Sequence, residues 1–236
     1  MKSTIFPRTF HTLFLSAFCV IASAAITSHK SHKNIKRQYD GIDVSHHQGK
    51  IDWKEVAKDK QIKFVYIKAT QGTSIKDKNY EQNIKGACRQ GLRCGSYHYL
   101  SCLTSVRSQF RNFQKAMRGH KQDLIPMIDI EHEGVKRWSK KQVQDSVALF
   151  AKLIERKYGK KPLIYSHVNF YNSHLTPRYN KYFLFLSRYS SERPSIKGVG
   201  RHNIWQFTDR GRVRGIHGNV DLDRFMSGTS LSSICL

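Results

Sequence analysis

From Tyr39 to Ser166 the chain alternates short apolar runs with segments that repeat an apolar residue every three or four positions, and this alternation restricts the fold most. Phe64-Val65-Tyr66-Ile67-Lys68-Ala69 is a near-continuous apolar run of the kind buried on both faces of a sheet. The segments 39–45, 94–99, 126–133 and 162–166 read as further strands. Between them, Tyr80, Ile84, Ala87 and Cys88 share a helical face, as do Val106, Phe110, Phe113 and Met117. The longest stripe is Val143, Val147, Phe150, Ala151, Ile154 and Tyr158. Asp52 and Ser139 stand where helices need an N-cap, and Gly91 and Gly159 where helices stop. Strand and helix in strict alternation predict an α/β fold of parallel strands joined by right-handed crossovers. Beyond Ser166 the helical stripes thin out, and 183–187, 203–207 and 218–221 read as strands joined by Gly- and Arg-rich turns. At 236 residues the chain suits one large domain of this class.

Parallel strands present ligand sites at their C-terminal ends. The residues there are Asp43, Gln71, Tyr97, Asp129, Glu131, Tyr165, Arg188, Trp205 and Asp221. Acids and aromatics recur, which is the mixture a carbohydrate site needs: ring faces pack on sugars while carboxyl groups bind hydroxyls and move protons. In Ile128-Asp129-Ile130-Glu131 the two acids share one face of a strand and the isoleucines share the other. Three of the chain's 17 acids fall at 129, 131 and 133 in an otherwise apolar stretch. Two carboxyl groups this close cannot both ionise cheaply in a dry site, so one should keep its proton, as acid-catalysed glycoside cleavage requires. His46, His47, His98 and His132 are read as satisfied or solvated side chains rather than ligands, and neither a metal nor a cofactor is expected.

Lys2 and Arg8 precede the apolar run 13–21, which ends in Ala22-Ser23-Ala24. A basic start, a short apolar core and a small-x-small end predict a signal peptide over 1–24, hence a secreted or periplasmic protein, with an outward-facing N-terminal anchor as the alternative. Residues 25–38 read as a basic, disordered linker, and 39–236 as the folded domain, expected to be monomeric. Cleavage would leave Cys88, Cys94, Cys102 and Cys235, an even set that allows two disulfides in three connectivities. The 41 basic residues against 17 acidic, a formal charge of +24, predict attraction to polyanions. No nucleic-acid-reading motif accompanies that charge, so anionic cell-wall polymer is the expected partner and specific nucleic-acid binding is not expected.

The ordered set Gly41-Ile-Asp43-Val-Ser-His-His-Gln-Gly49, Phe64-Val-Tyr-Ile-Lys68-Ala-Thr-Gln71-Gly72, Gly95-Ser-Tyr97-His98-Tyr99, Ile128-Asp129-Ile-Glu131, Pro162-Leu-Ile-Tyr165-Ser166, Trp205-Gln206-Phe207 and Gly218-Asn-Val-Asp221-Leu-Asp223 resembles glycoside hydrolase family 25, the peptidoglycan-cleaving muramidases. The resemblance spans nearly all of 39–225 and implies an irregular (β/α) TIM-like barrel with fewer helices than strands. It further implies hydrolysis of the β-1,4 bond from N-acetylmuramic acid to N-acetylglucosamine with retention. Glu131 matches the general acid/base and Asp129 the partner carboxylate, which either attacks the sugar carbon or, the favoured reading, orients the substrate's own acetamido group. Asp43 and Asp221 match two further site acids, with Asp223 a competitor for the last place. Gln71, Tyr97, Tyr165, Arg188 and Trp205 are the substrate-binding candidates. Two departures stand out: Gln71 where many members carry Glu, and Ser187-Arg188-Tyr189 in place of Ala-Arg-Tyr. The competing reading is a non-catalytic wall- or sugar-binding module on the same fold.

Overall fold

The computed structural model describes residues 39–236; the signal-peptide and linker expectations fall on 1–38, outside the described residues. Strands β1 (Gly41–Val44), β2 (Phe64–Gln71), β4 (Arg93–Tyr99), β5 (Met127–Asp129), β6 (Leu163–His167), β7 (Phe183–Ser187) and β8 (Ile204–Gly211) pair in parallel. Strand β9 (Val220–Phe225) runs antiparallel to both β8 and β1 and closes the ring. The two-residue strand β3 (Ile75–Lys76) folds back on β2 outside the barrel. Helices α2 (Tyr80–Arg89), α3 (Val106–Met117) and α5 (Lys140–Tyr158) supply the outer layer, with short helices α1 (Trp53–Val56), α4 (His132–Val135) and α6 (Val168–Phe170). The α/β barrel with fewer helices than strands is therefore present.

The caps read from sequence explain the helix limits. The Asp52 carboxylate accepts from the amides of Lys54 and Glu55, and the Ser139 hydroxyl accepts from Gln142, satisfying amides that have no partner inside the helix. Gly159 ends α5 at φ 75°, a left-handed backbone that glycine adopts without strain.

Period-two alternation along the strands splits the core into two clusters. Ile42, Val65, Ile67, Ile128, Ile130 and Ile164 face the helices, while Phe64, Tyr66, Met127, Leu163, Phe185 and Ile204 fill the barrel. Room for the interior rings comes from glycine. A methyl on Gly41 would lie 2.3 Å from the Phe64 ring, and one on Gly95 would lie 2.6 Å from that of Tyr66. The interior is thus packed solid beneath the mouth, and the Tyr66 hydroxyl donates to the Ile125 carbonyl at 2.9 Å. Among the described residues, this filled floor leaves the C-terminal mouth as the open end of the barrel.

Candidate active site

Strand β5 is shorter than predicted: it stops at Asp129, and Glu131 is the extended residue that leads into α4. The sharing of one face survives because the backbone stays extended through Glu131, at φ −124° and ψ 155°. Two bonds to β6 hold it so: the Ile130 amide donates to the Tyr165 carbonyl at 3.0 Å, and the Ser166 hydroxyl donates to the Ile130 carbonyl at 2.8 Å. Helix α4 then turns sharply away. Gly134 permits this, since a methyl there would lie 2.4 Å from the Leu100 carbonyl oxygen. Glu133, the third acid of the sequence cluster, is exposed on α4 and paired with Lys136 at 2.8 Å.

Asp221 reaches the mouth by a different route from the one expected. It stands near the start of β9, not at the end of a parallel strand; because β9 runs antiparallel, that start lies level with the end of β1, and Asp221 pairs with Asp43. Asp223, its competitor in the sequence, lies two residues further down, fully buried opposite Gly41, with both carboxyl oxygens lacking a hydrogen-bond partner.

A cavity of about 160 Å³ brings together Asp43, Asp129, Glu131 and Asp221, with Tyr97, Tyr165, Tyr189 and Gln206 on its wall. Burial raises the affinity of all four carboxyl groups for protons. For Asp43 desolvation leads, followed by the Asp221 charge, and its carboxyl is held well above the usual range; Asp221 is pushed up to about 7. The two stand opposite one another across the β1–β9 pair, and the Asp221 charge adds to the rise at Asp43. Asp129 is raised well above the usual range by desolvation and then by the Glu131 charge, and its Oδ1 is buried with no hydrogen-bond partner. Glu131 is raised by desolvation, with the Lys68 ammonium acting against it. Among the described residues the Glu131 carboxyl has neither a salt bridge within 4.0 Å nor an intramolecular hydrogen bond, so it is available to a ligand.

A larger groove of about 530 Å³ adjoins this cavity, lined by His132, His167, Phe170 and His174. Glu131, Tyr165 and Tyr189 belong to both, so Glu131 stands where the acidic pocket meets the wider groove. The His174 ring stacks on Phe170 at 4.2 Å, giving the groove a flat face.

The remaining candidates separate. Tyr97 and Tyr165 line the acidic cavity. Trp205 does not: on β8 it faces the helical layer, 5.8 Å from the Phe207 ring, and its indole donates to the Arg188 carbonyl at 2.9 Å. The residue facing inward is its neighbour Gln206, because alternate side chains point to opposite sides. Gln206 Nε2 donates to Asp43 Oδ2 at 2.6 Å, while its Oε1 accepts from the hydroxyls of Tyr165 and Tyr189, each at 2.8 Å. Arg188 turns to the Glu192 carboxylate and the Arg193 carbonyl, leaving Tyr189 at the cavity. Gln71 lies in a neighbouring hollow with Lys68 and accepts its ammonium at 3.0 Å. Sequence reading therefore missed Gln206, Tyr189 and Lys68 as site residues. Gln206 sat inside a quoted motif, and the period-two rule applied from Ile204, an interior residue, would have selected it over Trp205. His98 is a core residue as expected, hydrogen-bonded to Thr70 at 2.7 Å and Gln109 at 3.1 Å and stacked on Phe150.

Residues 42–216 match the family described as glycosyl hydrolases family 25. The chain is 36% identical to the uncharacterized protein YegX of Escherichia coli K12, over 78% of this chain and 68% of that one. It is 33% identical to the autolytic lysozyme of Clostridium acetobutylicum, over 80% of this chain and 56% of the relative. Among solved structures, the bacterial lysozyme of Streptomyces coelicolor superposes with a TM-score of 0.74 at 28% identity, covering 82% of this chain and 94% of that one. A family 25 glycosyl hydrolase from Bacillus anthracis superposes with a TM-score of 0.73 at 27% identity, covering 81% and 91%. Together with the acid-lined barrel mouth, these matches show that the chain is a glycoside hydrolase and belongs to glycosyl hydrolase family 25.

Proposed function

We propose that this protein is a peptidoglycan N-acetylmuramidase that cleaves the β-1,4 bond from N-acetylmuramic acid to N-acetylglucosamine with retention, and that Glu131 is its general acid/base. The observation that carries the reading is the place of Glu131, an unpaired carboxyl of raised proton affinity at the junction of the acidic cavity and the open groove. A carboxylic acid there can protonate the departing glycosidic oxygen and then, as a carboxylate, take a proton from water. Asp129 is the partner carboxylate. Its unpartnered Oδ1 supports the acetamido route, because a buried acceptor without a donor is completed by a substrate N–H, which orients the acetamido oxygen towards the sugar carbon. Asp43 and Asp221, both of raised proton affinity, limit the negative charge at the mouth, and either one, when ionised, faces the developing positive charge.

The chain's charge of +24 supports attraction to anionic wall polymers, which concentrates a soluble enzyme on an insoluble substrate. The basic, apolar, small-x-small order of residues 1–24 supports export. The deciding experiment uses purified protein on isolated peptidoglycan, with release of soluble fragments bearing new reducing ends as the readout. Wild type should release them, and Glu131→Gln should fall by at least about a hundredfold while still sedimenting with walls. Wall binding by both proteins with cleavage by neither would instead identify a binding module.

A further inference from the structure

At the end of the barrel opposite the acids, α2 finishes beside the first residues of β4. Cys88 lies in the last turn of α2 and Cys94 is the second residue of β4. Their sulfurs and an Asp123 carboxyl oxygen lie within 4.8 Å of one another. Cys88 is half-buried and Cys94 fully buried. Both are thiols in the structure, as are Cys102 and Cys235.

A metal would need Asp123 as a ligand, but that carboxylate is already committed. It accepts from Lys121 Nζ at 2.8 Å, Arg93 Nη1 at 3.3 Å and the Cys94 amide at 3.2 Å. Two cations on the third donor oppose a dication. The other two cysteines are set apart from Cys94 by the fold. Cys102 lies past the far end of β4, and the five steps from Cys94 to Tyr99 already cover about 16 Å, against the roughly 7 Å limit between bridged α-carbons. Cys235 packs on the barrel-interior cluster, with its sulfur 3.3 Å from the Leu231 carbonyl, whereas Cys94 faces the helices.

We propose that Cys88 and Cys94 form the single disulfide of residues 39–236, pinning the end of α2 to β4, while Cys102 and Cys235 remain thiols. Of the three connectivities open to four cysteines, none forms in full. The oxidant is a small-molecule disulfide such as oxidised glutathione. Contact with Cys94 lowers the proton affinity of Cys88, so the Cys88 thiolate attacks first and releases one glutathione thiolate. The Cys94 sulfur, having lost its proton, then attacks the Cys88 sulfur and releases the second. Two thiol protons and two electrons pass to glutathione, giving two molecules of its reduced form.

The test takes the full chain, reduces it, equilibrates it with oxidised glutathione, blocks remaining thiols under denaturing conditions, and maps the peptides without reduction. The expected result is one peptide pair joined through Cys88 and Cys94, two hydrogens lighter than the reduced pair, with Cys102 and Cys235 blocked. Cys88 and Cys94 both blocked, a lasting glutathione adduct on Cys88, or a link from either of them to Cys102 or Cys235 would overturn the proposal. So would zinc, added alone to the reduced chain, if it bound tightly enough to prevent oxidation. The Cys88→Ser variant should lose the link and keep wild-type cleavage of peptidoglycan.

Discussion

Replacing Gln206 by Leu tests whether the acid site is held together by one amide. The two side chains are similar in volume, so the change removes polarity with little cavity cost. Three hydrogen bonds vanish: to Asp43, Tyr165 and Tyr189. Tyr189 is 49% exposed and water can replace its partner, so its loss should cost almost nothing. Tyr165 is 7% exposed, and an orphaned buried hydroxyl costs about 1 to 3 kcal/mol. Asp43, also 7% exposed, loses its amide donor, worth about 1.5 to 3 kcal/mol for a charge-assisted bond. The sum is roughly 2.5 to 6 kcal/mol, a large part of a typical domain's stability. Urea unfolding at pH 7 measures it directly. The sign of the pH effect follows from the same bond. The Gln206 amide favours ionised Asp43, so its removal raises a proton affinity that is already high, and the acid limb of kcat/KM should move to higher pH. A loss of stability below about 1 kcal/mol together with an unmoved pH profile would refute the account of Gln206 as the organising contact.

Gln71→Glu should give the Lys68 ammonium a carboxylate partner across the present 3.0 Å contact; with its charge offset, Lys68 lowers the proton affinity of Glu131 less, so the alkaline limb of activity should move to higher pH, and a downward or absent shift would contradict the role given to Lys68. Asp223→Asn bears on stability. The folded-state pKa of Asp223 is raised, so between roughly pH 4 and that value the native state binds the extra proton and stability falls as pH rises. The variant should flatten this decline between pH 4 and 7 in thermal unfolding, and an identical slope in both proteins would show that the carboxyl is not desolvated. Sedimentation with isolated walls should weaken as sodium chloride rises past physiological strength, since exposed charges are screened; salt-independent binding would remove the electrostatic reading.

Much of this protein could be read along the chain, because strand and helix periods, caps and stop glycines act over a few residues. Asp52, Ser139 and Gly159 set helix limits through their own backbone neighbours, and the alternation of Asp129 with Ile130 put the acid on the inner face without reference to the rest of the fold. Everything that depends on closure was decided only in three dimensions. Whether Asp221 or Asp223 reaches the mouth turns on the antiparallel direction of β9, which a local pattern does not encode. Gln206, and not the expected Trp205, faces the acids because one residue of register decides which side of β8 meets them. The raised proton affinities of Asp43, Asp129 and Glu131 likewise come from tertiary burial, which removes water from carboxyl groups that lie apart in sequence and brings them to a single opening.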